Sequence, residues 1–285
     1  MVLGPKADVQ VSLDRESALP GDTVEAAIRI LGGRKDLGIQ EGRLELVYEN
    51  EYTYRHRAGY GDSRHTTTTK ATDRSVVDSR RFLEAGAIAS DTPFEATASL
   101  TIPATAPPSA EGKITKVRWK VVATLARPHA RDVHGEAPLV VLSPASATLD
   151  APEVETRGDV ELSFRLDREH FGPGDTVHGV LVATPLQACE ANEFRVDLVR
   201  HEDVPRKLGN TEDVEEGTAL LESDVRLSLG APREWPFQFQ LPAVVVPCLQ
   251  TERSRVTWLL KGIGSRRIRR DYRITQPIDV HTALS

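Results

Sequence analysis

The side chains that could carry out catalysis are spread along this chain without forming a known catalytic motif. A nucleophilic serine usually needs a sharp G-x-S-x-G turn, and the sequence has none. It has neither a P-loop nor a G-x-G-x-x-G segment, so no motif supports nucleotide binding. Carboxylates are abundant, but no two of them stand out as an acid and a base. We expect no catalytic residues and no cofactor.

Histidine spacing gives little support for a metal site. His129 and His134 are the tightest pair, but five residues apart on a strand they would lie on opposite faces. His56 and His65 begin and interrupt the segment HRAGYGDSRHTTTTKATDRS and could meet across a hairpin as a weak site. In both places a solvated loop is the favoured interpretation, and we expect no metal.

Composition indicates a soluble globular protein. Of the 285 residues, 39% are hydrophobic and 27% are charged. No apolar run approaches the roughly 18 residues that cross a bilayer, and the N-terminal MVLGPKADVQV does not read as a signal peptide. Cys189 and Cys248 fit two reduced thiols, and a net charge of −6 argues against nucleic-acid binding. We expect a cytoplasmic protein without direct membrane insertion.

Charge is unevenly distributed in the second half of the chain. Residues 202–224 contain eight acidic side chains, and residues 253–273 contain eight basic ones against the single acid Asp271. Arginine matches carboxylate and phosphate groups geometrically, so the basic segment could dock an acidic or phosphorylated protein. The candidate contact residues are Arg266, Arg267, Arg269 and Arg273. The alternative is that the two segments neutralise each other or form separate solvated faces.

An internal repeat reveals the elements that position these side chains. The sequence PGDTV occurs at Pro20–Val24 and again at Pro173–Val177, each time between two alternating strand-like segments. A later block also repeats, with a single spacing (242 − 103 = 139) that we call the repeat offset. Its identical pairs are Pro103 and Pro242, Pro108 and Pro247, Val117 and Val256, Trp119 and Trp258, Arg131 and Arg270, Asp132 and Asp271, and Pro138 and Pro277. The two halves are therefore homologous domains in tandem.

The difference between the two spacings also predicts the domain limits. PGDTV repeats at a spacing of 173 − 20 = 153, so the first copy has 153 − 139 = 14 extra residues. We assign them to a long hairpin tip or loop at residues 56–75, which lack apolar periodicity. The irregular segment SPASATLDAPEVETRG separates the domains. The predicted limits are 1–146 and 159–285, joined by a linker at 147–158.

The hydrophobic pattern predicts strands. Alternation with a period of two puts one set of side chains on one face of a strand. It is present at Val9 to Leu13, Leu44 to Tyr48, Val117 to Val121 and Val256 to Leu260. In PGD turns, proline fixes φ and glycine supplies a positive φ. The expected fold class is all-β, with two tandem immunoglobulin-like antiparallel β-sandwich domains and one core tryptophan in each.

The order of these segments resembles the arrestin-like fold. The stretches that carry the resemblance are LPGDTVEAAIRI, LTIPATAPPSAEGKITKVRWKVVATL, GPGDTVHGVLVA and WPFQFQLPAVVVPCLQTERSRVTWLLK. The phrase IRILGGRKDLGIQEGRLELVYENEY is similar to the opening of bacterial sporulation-control arrestin-like proteins. The resemblance implies an N-type followed by a C-type arrestin-like sandwich. The phosphate-sensing residues of receptor-binding arrestins cannot be mapped onto this sequence residue by residue, so receptor binding is not implied.

The repeated Arg-Asp pairs suggest an ion network. If GSRRIRRDYRI were a strand, Arg270 would share a face with Ile268 and Ile274, where an unpaired charge is costly. Buried charges near the domain junction hold the two sandwiches together in arrestin-like proteins. The resemblance therefore implies a structural or switching network formed by Arg131, Asp132, Arg270 and Asp271. The alternative is that each Arg-Asp pair begins a turn before the last strand of its sandwich.

These observations favour a non-enzymatic adaptor or regulatory scaffold that binds another protein. Edge strands can accept a partner segment through backbone hydrogen bonds, which leave little trace in a sequence. A self-assembling structural protein, for example a homodimer, is the first alternative. A module that binds a small ligand or carbohydrate is the second, although only 5% of the residues are aromatic.

Overall fold

The computed structural model of this chain describes residues 7–60, 64–145, 151, 153–155 and 159–283, and its regular elements there are β-strands. The chain divides into two compact units. Unit 1 comprises Met1–Tyr52, Lys70–Glu111 and Lys116–Leu142, and unit 2 comprises Thr53–Thr69, Gly112–Thr115 and Ser143–Ser285. The domain limits stated above remain predictions. Among the described residues, no helix is long and apolar enough to cross a membrane.

The first half of the chain folds into strands of very unequal length. In chain order they are β1 (Ala7–Leu13), β2 (Ser17–Ala18), β3 (Thr23–Gly32), β4 (Leu37–Ile39), β5 (Glu41–Ala58), β6 (His65–Leu83), β7 (Gly86–Ile88), β8 (Pro93–Thr101), β9 (Ala110–Glu111), β10 (Thr115–Ala126) and β11 (Val133–Val141). One sheet has the order β1-β3-β8, and a larger one has the order β2-β11-β10-β5-β6, with β9 beside β10. These two sheets form the first antiparallel sandwich, closed at one edge by the parallel pair β2 and β11.

The second half repeats this arrangement. Its strands are β12 (Glu153–Glu155), β13 (Val160–Leu166), β14 (His170–Phe171), β15 (Thr176–Pro185), β16 (Cys189–Val204), β17 (Asn210–Leu227), β18 (Arg233–Gln240), β19 (Leu249–Gln250), β20 (Arg255–Ser265) and β21 (Tyr272–Val280). The smaller sheet has the order β13-β15-β18 and the larger one β12-β21-β20-β16-β17. The chain is therefore all-β and consists of tandem β-sandwiches, as the sequence predicts.

Alternating side chains explain why these segments pair as strands. Along β3 and β10 the inward positions are buried and most of the positions between them face outward. Trp119 and Trp258 are buried in the cores of their sandwiches, with 3% and 1% of their surfaces exposed. The indole N–H of Trp119 donates to the Pro107 carbonyl at 3.0 Å, and that of Trp258 donates to the Val246 carbonyl at 2.8 Å. Even this hydrogen bond recurs at the repeat offset.

The PGD turns have the geometry that the sequence predicts. Gly21 and Gly174 adopt φ angles of 93° and 74°, which favour glycine. The aspartate of each turn accepts a backbone hydrogen bond. Asp22 accepts the Leu19 N–H at 2.9 Å, and Asp175 accepts the Gly172 N–H at 2.7 Å. The second of these hydrogen bonds lowers the pKa of the Asp175 carboxyl, with Arg168 assisting. The repeated pentapeptide is thus a structural turn.

The first half has an additional small sheet. Strands β4 and β7 pair with each other, whereas the corresponding connections of the second half, at 186–188 and 228–232, contain no strand. Part of the extra length of the first half therefore lies outside the segment 56–75. Most of that segment is strand rather than loop, because residues 56–58 continue β5 and residues 65–75 belong to β6. Backbone pairing at a sheet edge requires no apolar periodicity, so the sequence did not reveal it.

The expectation that the segment SPASATLDAPEVETRG is irregular throughout was wrong at one place, whereas the linker limits remain predictions. Residues 146–150, 152 and 156–158 of the irregular segment lie outside the described residues. Between them, however, β12 pairs with β21, with Glu153 opposite Thr275 and Glu155 opposite Arg273. The sequence does not indicate this strand, because a three-residue strand is too short to show a period. It forms because the edge of β21 offers backbone partners.

Candidate protein-interaction surface

The hairpin that joins β20 to β21 contains the basic residues singled out above. Residues 266–271 form a turn, so the prediction of a strand through GSRRIRRDYRI was wrong. Ile268 is 94% exposed and Arg270 is also exposed, whereas Tyr272 is buried at the first position of β21. The alternation was misleading because hydrogen bonds from side chains, rather than period-two packing, determine the path of the backbone.

A lock at the base of the turn sets its shape. The Arg266 Nε donates to the Arg270 carbonyl at 2.7 Å, and the Asp271 Oδ1 accepts the Arg266 N–H at 3.2 Å. The turn between β10 and β11 is closed in the same way. There Arg127 donates to the Arg131 carbonyl at 2.7 Å, and Asp132 accepts the Arg127 N–H at 3.4 Å. We call these two sets of contacts the turn locks.

The turn locks show where the predicted ion-network residues lie. Arg131 and Asp132 belong to the lock of unit 1, and Arg270 and Asp271 belong to the lock of unit 2. In each lock the arginine contributes its backbone carbonyl and the aspartate contributes its side chain. Each Arg-Asp pair lies at the end of its turn, directly before the last strand of its sandwich. A network that combines all four side chains remains a prediction.

Arg266 is the anchor of the basic hairpin. Only 10% of its side chain is exposed, and its guanidinium lies 4.1 Å from the centre of the Tyr272 ring. It donates to Asp159 Oδ2 and to the Tyr272 hydroxyl, both at 3.1 Å. Burial raises the pKa of the Tyr272 hydroxyl, and the neighbouring Cys189 adds to this effect. Arg266 therefore stabilises the hairpin, and these contacts cover most of its side chain.

The tip of the hairpin has a different character from its base. We define the basic turn as Arg267, Ile268 and Arg269. The side chain of Arg269 is 73% exposed and lies 3.6 Å from Asp159, a distance typical of a weak surface pair. At the same place in the first half the chain has Pro128, His129 and Ala130, with a φ of 57° at His129. The lock is repeated, whereas the basic tip is not.

A groove of about 850 Å³ lies beside the basic turn. It is also lined by residues 187–192 at the start of β16 and 224–226 near the end of β17. Four arginines line it, at positions 226, 266, 267 and 269, against three acids, at 159, 190 and 224. Asp159 is already occupied by Arg266, and Glu190 pairs with Arg226 at 3.2 Å. The basic turn thus forms one wall of an open groove with a small excess of positive charge.

The remaining predicted contact residue lies next to this groove. Arg273 follows Tyr272 in β21 and is exposed, but its guanidinium is 3.1 Å from Asp271 Oδ2. The structure therefore separates the four candidate arginines into three roles. Arg267 and Arg269 form the exposed tip, Arg266 is the anchor, and Arg273 makes a surface ion pair with the lock.

Sequence reasoning missed a buried charge cluster in unit 2. The carboxylate of Glu202 is fully buried and accepts the N–H groups of Lys113 and Ile114, both at 2.8 Å, and of Thr115 at 3.3 Å. Arg200 pairs with Glu202 and, at 2.9 Å, with Glu216. We call these groups the Glu202 cluster. The groups that it joins lie up to 89 residues apart in the chain, so no local pattern could have indicated them.

Glycine at position 112 makes this cluster possible. A Cβ atom there would lie 2.7 Å from the Glu202 Oε2 and 2.6 Å from the Thr115 carbonyl oxygen. Both distances are too short for a side chain, so the turn at 112–115 can approach the carboxylate only with glycine. Nearby, the hydroxyls of Thr115 and Ser254 lie 2.6 Å apart and are also buried.

The histidine pairs considered above lie apart from the groove. His134 is in β11 and its Nδ1 lies 3.0 Å from the Thr124 hydroxyl, whereas His129 is at the tip of the preceding turn. The Nδ1 of His56 lies 3.4 Å from the Thr69 hydroxyl, across the β5–β6 hairpin. Among the described residues, no group of three His, Cys, Asp or Glu side chains is arranged to hold a metal ion.

Comparison with known proteins agrees with the topology. Residues 5–146 match the family model described as Arrestin (or S-antigen), C-terminal domain. The first half thus matches a C-terminal domain model, whereas the resemblance implied an N-type domain there. No curated protein is similar enough to the chain to count as a match. The repeated sandwich topology, together with this match, shows that the chain has an arrestin-like fold.

Proposed function

We propose that this protein is a non-enzymatic adaptor or regulatory scaffold that binds another protein through the basic turn. Arrestin-like domains generally belong to regulatory and adaptor proteins, which supports the class. The resemblance of the IRILGGRKDLGIQ stretch supports a relation to sporulation-control proteins within that class. The partner is an acidic or phosphorylated segment, and the site of action is the cytoplasm.

One observation carries this proposal. The two hairpins share their locks, yet only the second has two arginines and an almost fully exposed isoleucine at its tip. Because the first hairpin closes with Pro128, His129 and Ala130, folding does not require the basic tip. A single exposed Ile268 between two arginines offers an apolar anchor flanked by charges. Such a combination suits an acidic segment that also carries an apolar residue.

The test uses the full chain with a photo-crosslinking residue in place of Ile268. Lysate of the source organism is irradiated at low and at high salt, and the captured protein is identified by mass spectrometry. We expect one protein to be captured in a salt-sensitive manner and lost in the Arg267→Glu, Arg269→Glu variant. Phosphatase treatment of the lysate distinguishes a phosphorylated from an acidic segment.

A matched variant controls for charge alone. Arg34 and Lys35 are exposed side chains in the first half, and their double change to Glu alters the net charge by the same amount. We expect this variant to retain capture. Equal capture by all three proteins would mean that the basic turn is only a solvated tip, and the proposed docking site would be rejected.

A further inference from the structure

The outer edge of β21 is covered along most of its length by short strands. Near its C-terminal end β14 runs parallel to it, with His170 opposite Asp279. Near its N-terminal end β12 runs antiparallel, with Glu153 opposite Thr275 and Glu155 opposite Arg273. An extended segment of three residues is therefore sufficient to complete this edge.

The equivalent edge of β11 in unit 1 is covered by a described strand only at its C-terminal end. Its C-terminal end pairs with β2, since Val140 lies opposite Ser17. Val140 and Asp279 are separated by the repeat offset, so β2 corresponds to β14. Among the described residues, no strand pairs with the outer edge of β11 at positions 133–138, which include 134–136, the equivalents of the residues that β12 covers in β21.

The alternation of hydrogen bonds along β11 shows which of its backbone N–H and C=O groups point outward, away from β10. Val140 and Leu142 donate their N–H groups outward, to the carbonyls of Glu16 and Ala18, both at 2.9 Å. Backbone groups alternate between the two sides of a strand. His134 and Glu136 are in the same phase, so their N–H and C=O groups also face outward. Their equivalents, Arg273 and Thr275, are the residues that face β12.

Strand β1 does not fill this place by edge pairing. A Cβ atom at Gly135 would lie 2.2 Å from the Val9 carbonyl oxygen, so β1 approaches β11 closely. The Cβ direction, however, is perpendicular to the sheet. Val9 therefore lies over the inner face of β11, and its pairing partner in the sheet is Ile30 of β3.

We propose that the outer edge of β11 at His134 and Glu136 is a second docking surface, which accepts a short extended segment of a partner protein as an antiparallel strand. The side chain of Glu136 is 63% exposed and reaches Lys120 at 3.1 Å. A basic residue opposite Glu136 and an acidic residue opposite His134 complement the edge. The surface is in unit 1 and is independent of the basic turn.

The probe is a peptide derived from β12. Its sequence is that of residues 150–157 with Glu153→Lys, acetylated at the N-terminus and amidated at the C-terminus. Paired as β12 pairs with β21, it places lysine opposite Glu136 and glutamate opposite His134. The control peptide has the lysine and the glutamate exchanged, so that it has the same composition but places glutamate opposite Glu136.

The readout is amide hydrogen exchange, resolved for single residues by NMR, with the full chain. In the free chain we expect the amides of His134 and Glu136 to exchange at least about tenfold faster than those of Arg273 and Thr275. The lysine peptide at millimolar concentration should slow exchange at His134 and Glu136, and the control peptide should do so less. If the peptide instead displaced β12 from β21, the exchange rates of the Arg273 and Thr275 amides would change, so this outcome can be distinguished from binding at β11.

A proline variant tests the backbone contribution. Glu136→Pro removes one outward N–H and leaves the side that faces β10 unchanged, and Pro138 already occupies an outward position in this strand. We expect Glu136→Pro to abolish protection at His134, whereas Glu136→Gln retains part of it. Slow exchange at both amides in the free chain would show that the edge is already occupied. That result, or protection that is absent or insensitive to the proline, would overturn the proposal.

Discussion

The two β-hairpin turns at residues 127–132 and 266–271 have the same base and different tips. In both, an arginine side chain donates to a carbonyl four residues later, and an aspartate accepts the N–H of that arginine. The tips are Pro-His-Ala in the first turn and Arg-Ile-Arg in the second. The contacts that appear in both turns maintain the fold, and the tip that differs between them is the part that we propose binds a partner.

The largest loss of stability is expected for the two core tryptophans, where the two halves agree most closely. Trp119→Ala and Trp258→Ala each remove a buried indole and leave a cavity, which costs about 3–5 kcal/mol of unfolding free energy. Urea denaturation of the two variants should show losses of similar size. The corresponding changes to Phe keep most of the volume but leave the Pro107 or Val246 carbonyl without its donor, and they should cost less. A loss below about 1 kcal/mol for either alanine variant would contradict the equivalence of the two cores.

The next largest loss of stability is expected for the Glu202 cluster, because it contains a buried ion pair within unit 2. Glu202→Gln removes one of the two carboxylates that pair with Arg200 and weakens three backbone hydrogen bonds. Removing one partner of a buried pair costs about 3 kcal/mol, to be measured by urea denaturation. Glu212→Gln is the control, since its partner Lys113 has 61% of its side chain exposed, and it should cost less than about 1 kcal/mol. Equal losses for the two variants would show that burial of Glu202 has no energetic importance.

Changes to the turn locks are expected to reduce stability less, and by equal amounts in the two halves. Asp132→Ala and Asp271→Ala each remove the acceptor for one backbone N–H at the base of a turn. We expect each change to lower the free energy of unfolding by about 1 kcal/mol. Arg273→Ala removes the exposed pair with Asp271 and should cost no more than about 0.5 kcal/mol. If Asp271→Ala were much more costly than Asp132→Ala, the basic hairpin would have a stabilising role beyond its lock, which is the result expected of a wider ion network.

The sequence predicted those features that depend on neighbouring residues or on the repeat. The PGD turns, the tryptophan strands and the all-β class follow from local spacing and from the repeat offset. The basic hairpin was misread because Arg-Ile-Arg-Arg alternates like a strand, although side-chain hydrogen bonds close it as a turn. The Glu202 cluster and β12 could not be predicted, since each depends on backbone groups supplied by a segment distant in the chain.

A small effect on stability is also expected at a position where one half has a sulfur atom and the other an oxygen. Val141 donates its N–H to the Ser109 hydroxyl at 3.0 Å, and Val280 donates its N–H to the Cys248 sulfur at 3.4 Å. Because serine already fits this place in the first half, Cys248→Ser should change the free energy of unfolding by less than about 1 kcal/mol in urea denaturation. A larger loss would mean that the two sites differ in packing.

Thiol reactivity tests the same site without a mutation. Burial raises the pKa of the Cys248 thiol to about 11, so at pH 8 only about one molecule in a thousand carries the reactive thiolate. Cys189 is partly exposed and lines the groove beside the basic turn. Iodoacetamide labelling followed by mass spectrometry should therefore modify Cys189 well before Cys248, and the rate at Cys248 should increase nearly tenfold for each pH unit up to about 11. Rapid labelling of Cys248 at pH 8 would show that the second sandwich opens locally at this strand. The Cys248 and Ser109 sites would then have the same hydrogen-bond geometry but different local stability.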